Sequence, residues 1–205
     1  MANVGLLYVG AVLFINGLML LGYIQPKSAA IFNLFVGALQ VITPLYIIVT
    51  HINSPWDIFG ASGIFLFGFT YLFVGITNLV SIEGSGLGWY CLWVAIMALG
   101  YSTLNFTHFS DAKFGIIWIL WAFLWFLFYL LLAQNKDIAR FTGWVTLIES
   151  WTTCTIPAFL SMTGVWTSIS NGLAWTCAVV VVIVFVLAYV FSKGRPRNVT
   201  TSQAL

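Results

Sequence analysis

Seven apolar runs fill almost the whole chain, at roughly 4–23, 28–50, 57–80, 87–107, 114–134, 141–161 and 168–191. At about 1.5 Å per helical residue, each can cross a hydrocarbon layer about 30 Å thick. Of the 205 residues, 61% are hydrophobic and 6% charged, and the mean hydropathy is +1.04. A soluble domain carries about 25% charge. The expected fold is therefore an all-α membrane protein, a bundle of seven transmembrane helices occupying 1–191, followed by a basic tail at 192–205. No stretch is left for a separate soluble domain.

The first run lacks a basic leader and a small-residue cleavage pattern, so it reads as a retained span rather than a signal peptide. A net charge of +2 is too small to suggest a nucleic-acid partner. Cys91, Cys154 and Cys177 lie within spans without metal-like or CxxC spacing, and are expected to be small buried core residues. No cofactor, metal centre or catalytic constellation is visible. No lysine lies in the middle of a span, which excludes a retinal Schiff base.

Loop charge sets an orientation. With seven spans, Lys27, Lys136, Arg140, Lys193, Arg195 and Arg197 fall on one side and only Lys113 on the other. The positive-inside rule places the N-terminus outside and the C-terminus in the cytoplasm. The connections Gln25–Lys27, His51–Trp56, Ser81–Gly86, His108–Lys113 and Asn135–Arg140 are short, so neighbouring spans pack as antiparallel hairpins.

Glu149 is the one charged side chain in the middle of a span. A carboxylate at that depth costs about 2.5–3.5 kcal/mol on insertion scales, so it should face a wet cavity or a partner. Thr142, Thr146, Glu149 and Thr153 recur at helical spacing and form one polar stripe. Pro157 follows and frees a backbone carbonyl. In span 5, Trp118, Trp121 and Trp125 share one face, extended by Phe114 and Phe128. Tight packing against a neighbouring span and a slot walled by indole faces both fit this ladder. Span 3 adds Phe69 and Phe73, one turn apart, with Phe65, Thr70 and Tyr71 nearby. Together these parts describe a pore for something small, planar and uncharged. An aromatic constriction offers nothing to replace an ion's hydration shell, whereas a flat amide can stack on indoles.

The segments LLYVGAVLFINGL (6–18), PKS (26–28), NLFVGAL (33–39), LFGFTYLF (66–73), WYCLWVAI (89–96), IIWILWAFLW (116–125) and FTGWVTLIES with IPAF (141–159) resemble the AmiS/UreI family of bacterial urea and short-chain amide channels. The resemblance implies a bacterial cell-membrane protein, a homohexamer among membrane lipids, with a pore through six helices of each protomer. It implies constrictions lined by Leu6, Val9 and Leu13, by Phe69 and Phe73, and by Trp118, Trp121 and Trp125, with Glu149 as the sixth-span glutamate. A cytoplasmic amidase or urease is the implied functional partner. The chain departs from the acid-gated members in having a seventh span and a short loop between spans 2 and 3. His108, in THFSDAK, resembles a loop histidine of the gated channels, and His51 lies on the same side.

The expected function is thus a passive channel for urea or short aliphatic amides, with Thr146, Glu149 and Thr153 beside the aromatic slot. Histidine titrates near neutrality, so His51 and His108, with Glu149, are the candidate pH sensors. A proton-conducting or proton-coupled protein using Glu149 as its relay is the competing reading.

Overall fold

Hydrocarbon offers no water to a backbone N–H or C=O, so apolar runs of this length bond internally as helices. In the computed structural model, which describes residues 2–51 and 54–193, they are α1 (Ala2–Leu20), α2 (Pro26–Thr50), α3 (Pro55–Val80), α4 (Ser85–Thr107) and α5 (Ala112–Leu132). α6 (Ala139–Glu149), a π-helical turn (Ser150–Thr155) and α7 (Ile156–Met162) then follow without a break as one rod, and α8 (Asn171–Lys193) comes last. Among the described residues, α1–α5 and α8 are each long and apolar enough to cross a membrane. The expected tail lies, from residue 194 onward, outside the described residues.

Polar and proline residues extend the helices beyond the apolar runs. Pro26 and Pro55 occupy first-turn positions, where a missing N–H costs nothing. The Ser54 hydroxyl accepts from the Asp57 N–H at 3.3 Å, and Asp111 accepts from the Phe114 N–H at 3.1 Å. α1 ends where Gly22 adopts φ +85°, letting the Tyr23 N–H reach the Leu18 carbonyl at 2.9 Å.

The bundle is built from two tight hairpins, α2/α3 and α4/α5, and from α1 packed along the α6–π–α7 rod. Small residues allow the close approaches. A Cβ on Gly10 would sit 2.9 Å from the Ser150 carbonyl and 3.0 Å from the Thr155 nitrogen, so α1 rests directly on the π turn. Gly68 of α3 meets the Gln40 carbonyl of α2 in the same way. Three buried amides tie α1 to α2: Asn16 and Asn33 exchange hydrogen bonds at 2.9 and 2.7 Å, and Gln40 donates to the Gly5 carbonyl at 2.6 Å.

The π turn has a local cause. Pro157 has no N–H, and its ring would crowd the carbonyl of Thr153 in a regular α-helix. Widening the preceding turn relieves this, and the Ile156 N–H bonds five residues back to the Trp151 carbonyl.

α8 lies against the outside of the bundle. Phe185 stacks on Phe123 at 5.8 Å, Tyr189 meets Phe141 edge-on at 5.3 Å, and Trp175 stacks on Phe106 at 5.9 Å. It begins at Asn171 rather than 168, because Trp166–Ser168 form a short 3-10 turn and the Ser170 hydroxyl accepts from the Leu173 N–H. Lys113 Nζ clamps that turn by donating to the carbonyls of Trp166 (3.0 Å) and Ile169 (3.2 Å). Cys91 and Cys154 are buried, but Cys177, expected in the core, is exposed because α8 buries so little of its surface.

Gly10→Ala should destabilise the bundle by about 1–3 kcal/mol, since a rigid backbone carbonyl cannot yield to the added methyl. Gly100, whose Cβ would meet nothing within 4 Å, tolerates alanine with no loss. Thermal unfolding of both variants in detergent checks the pair: Tm falls for Gly10→Ala and holds for Gly100→Ala.

Candidate functional site

Two cavities enter the bundle from opposite ends. The upper one, about 150 Å³, lies at the end that holds Ala2 and is lined by Leu6, Val9, Gln40, Phe114, Trp118 and Trp121 among others. The lower one, about 60 Å³, is lined by Leu13, Asn16, Thr70, Tyr71, Thr77 and Trp125 among others. They share two residues, Phe67 of α3 and Trp121 of α5.

Phe67 is the hub of the aromatic cluster. Its ring centroid lies 4.8 Å from Trp121, 4.8 Å from Trp125 and 6.1 Å from Trp118. The contact with Trp121 is edge-to-face, at 81°. Such pairs add about 0.5–1.5 kcal/mol each beyond area burial, so the hub is held from several sides. Trp118 meets Trp121 edge-on at 4.9 Å and stacks on Tyr101 at 4.5 Å. Gly63 permits this, because a Cβ there would press on the Trp118 ring at 3.2 Å.

Two threonines orient the indoles. Trp121 Nε1–H donates to Thr153 Oγ at 2.9 Å, and the Thr153 hydroxyl donates to the Glu149 carbonyl at 2.7 Å. Trp125 Nε1–H donates to Thr70 Oγ at 3.3 Å, and Thr70 donates to the Leu66 carbonyl at 2.6 Å. A hydroxyl has one proton. Once it is bonded back to its own helix, the oxygen can only accept, which fixes the direction of both indole N–H groups. The ring faces of Trp121 and Trp125, not their donors, are left for the space between the helices.

The sequence-derived candidates divide clearly. Trp118, Trp121, Trp125, Leu6, Val9 and Leu13 border a cavity. Phe69 does not: it is 49% exposed on the outer surface of α3, stacked on Phe65. Phe73 borders neither cavity and packs near Gly86. Phe67 was missed, although a signal for it existed. Phe67, Thr70, Tyr71, Val74, Thr77 and Asn78 make a polar-bearing stripe on α3, whereas Phe65, Phe69, Ile76 and Val80 make a wholly apolar one suited to lipid.

The stripe on the sixth rod is fully buried in the helix packing. Thr146, Glu149 and Thr153 border neither cavity. Thr146 donates to the Thr142 carbonyl at 2.7 Å, and Thr153 is taken up by Trp121. Among the described residues, neither carboxyl oxygen of Glu149 has a hydrogen-bond partner. Glu149 thus lies in the helix packing rather than at the expected pore-facing position. At the upper end, exposed His108 stacks on Trp56 at 3.9 Å, and exposed His51 bonds through Nδ1 to the Thr50 hydroxyl at 2.9 Å.

Thr153→Val keeps the shape but leaves the Trp121 N–H unpaired. It should cost about 1–3 kcal/mol, read as a lowered Tm, whereas Thr153→Ser retains most of the stability.

The sequence profile of AmiS/UreI family transporters matches residues 1–165, so α8 lies beyond the matched region. A Rhodococcus erythropolis protein with the provisional name transporter protein AmiS2 is 53% identical over 165 residues, covering 80% of each chain. The acid-activated urea channel of Helicobacter pylori is 31% identical over 196 residues, covering 81% of this chain and all of the other. The structure of the Helicobacter pylori urea channel in its closed state superposes with a TM-score of 0.74 at 31% identity, over 80% of this chain and 98% of that one. Its crystal structure gives a TM-score of 0.73 at 32% identity, over 81% and 99%. This chain, with a phenylalanine and three indoles gathered between two end-on cavities, belongs to the AmiS/UreI family of transporters and channels.

Proposed function

We propose that this protein is a passive channel that admits urea or short-chain aliphatic amides to the cytoplasm along the axis of each protomer. The observation that carries this reading is the meeting of the two cavities at Phe67 and Trp121. The rings touch there, so passage requires the Phe67 side chain to swing aside and admit a flat solute between ring faces. With the Trp121 and Trp125 N–H groups tied to threonines, these rings offer π-surface and no substitute for water around an ion. A planar neutral amide loses least on entering.

The named functions of the relatives support the same solute class: an acid-activated urea channel in Helicobacter pylori, and an amidate-substrate transporter provisionally named in Mycolicibacterium smegmatis. In this reading the upper end faces outward and the lower end faces the cytoplasm, consistent with the loop cations. The protomers assemble as a hexamer in the bacterial cell membrane, and a cytoplasmic amidase or urease consumes the solute. His108, stacked on Trp56 at the upper end, is with His51 and Glu149 a candidate group for modulation of entry by external pH.

Stopped-flow swelling of proteoliposomes tests the reading. Urea and acetamide should enter faster than in empty liposomes, while glycerol and salts should not. Trp121→Ala should change the urea-to-glycerol permeability ratio at least several-fold, and an unchanged ratio contradicts the aromatic pinch. The competing proton-conducting reading has one support, the unpartnered carboxyl oxygens of Glu149. It predicts currents that follow a proton gradient without solute and vanish in Glu149→Gln, whereas the channel reading predicts no such current.

A further inference from the structure

The lower cavity holds hydrogen-bonding groups that neither helix packing nor the indole locks use. Asn16 and Asn33 pair amide to amide, and Asn33 sends its second N–H to the Ala29 carbonyl at 2.9 Å. A primary amide has two donors and two lone pairs, so Asn16, the member lining the cavity, keeps one of each unused. On α3, Thr77 and Asn78 line the same cavity. Thr77 is 5% exposed, and among the described residues its hydroxyl has no partner. Among the described residues the bond formed by Asn78 runs from Nδ2 to Met19 Sδ at 3.4 Å, and a thioether is a weak acceptor. All three residues lie near the lower ends of their helices, where α1 stops at Leu20 and α3 at Val80. Above them the wall is mostly apolar, with Tyr71, Cys91 and Thr70 among its lining, and the hydroxyl of Thr70 is already engaged by Trp125.

A native chain rarely leaves a buried hydroxyl unbonded, and here Thr77 lines the same small cavity as two incompletely used amides. We propose that Asn16, Thr77 and Asn78 form a binding subsite for the carbonyl–NH₂ edge of urea or a primary aliphatic amide, a reading that rests on the channel function above. A solute leaving the Phe67–Trp121 pinch has lost hydrogen bonds, and this group offers it amide donors and acceptors. The chemistry copies the Asn16–Asn33 pair, in which one amide already binds another. An alcohol of similar size cannot present a carbonyl and an NH₂ on one planar edge, so the subsite favours amides over polyols.

Initial uptake of radiolabelled acetamide into proteoliposomes, measured against concentration, tests the proposal. Wild-type uptake should saturate, with urea competing. Thr77→Val/Asn78→Leu should raise the half-saturating concentration about five-fold, the effect of losing one or two such hydrogen bonds. In case the double variant fails to fold, the near-isosteric Thr77→Val alone should shift it in the same direction, and Thr77→Ser should restore it. Wild-type uptake that never saturates, or an unchanged half-saturation in the folded Thr77→Val variant, overturns the subsite and leaves the channel reading standing. Wild-type liposomes no more permeable to acetamide or urea than empty ones overturn both.

Discussion

The bond from Trp121 Nε1 to Thr153 is the constraint on which the interior depends. Inside hydrocarbon an unpaired indole N–H is costly, and this one is satisfied by a hydroxyl whose own proton is held by the Glu149 carbonyl. The bond places the Trp121 ring between the two cavities and presents its face. Phe67 then packs edge-on against that ring, and Trp118 and Trp125 complete the cluster. A Thr hydroxyl with free rotation would leave the indole able to turn its donor inward. The back-bonding that makes threonine a mediocre helix residue is what makes it a dependable acceptor here.

The lock in turn rests on the π turn. Thr153 lies within Ser150–Thr155, the segment widened ahead of Pro157, and Gly10 of α1 packs directly onto it. The first and sixth spans therefore hold the residue that aims an indole of the fifth. A proline near a span end, a glycine on another helix and a threonine between them act as one mechanical unit. π turns recur at functional sites for this reason: they place a side chain where the regular helical period would not.

Much of this was legible in the residues. Charge scarcity and run length identify a helical membrane protein, and the spacing of Trp118, Trp121 and Trp125 puts the three indoles on one face. Other positions differ from the expectation. Phe69 and Phe73, expected from the resemblance and from aromatic spacing, border neither cavity, whereas the face of α3 that turns inward is the one bearing Thr70, Tyr71, Thr77 and Asn78. In a lipid solvent the polar stripe, not the bulky one, marks the interior. Glu149 was recognised as deeply placed, but its full burial in the helix packing is a tertiary fact that no periodicity contains. The exposure of Cys177 follows likewise from α8 riding outside the bundle.

The most direct test of the account is a crystal structure of the protein soaked with selenourea, a planar analogue whose selenium is located by anomalous scattering. The account predicts selenium on the axis joining the two cavities, against the ring faces of Phe67 and Trp121. Selenium found only on the outer surfaces of the helices, with neither cavity occupied, would contradict it.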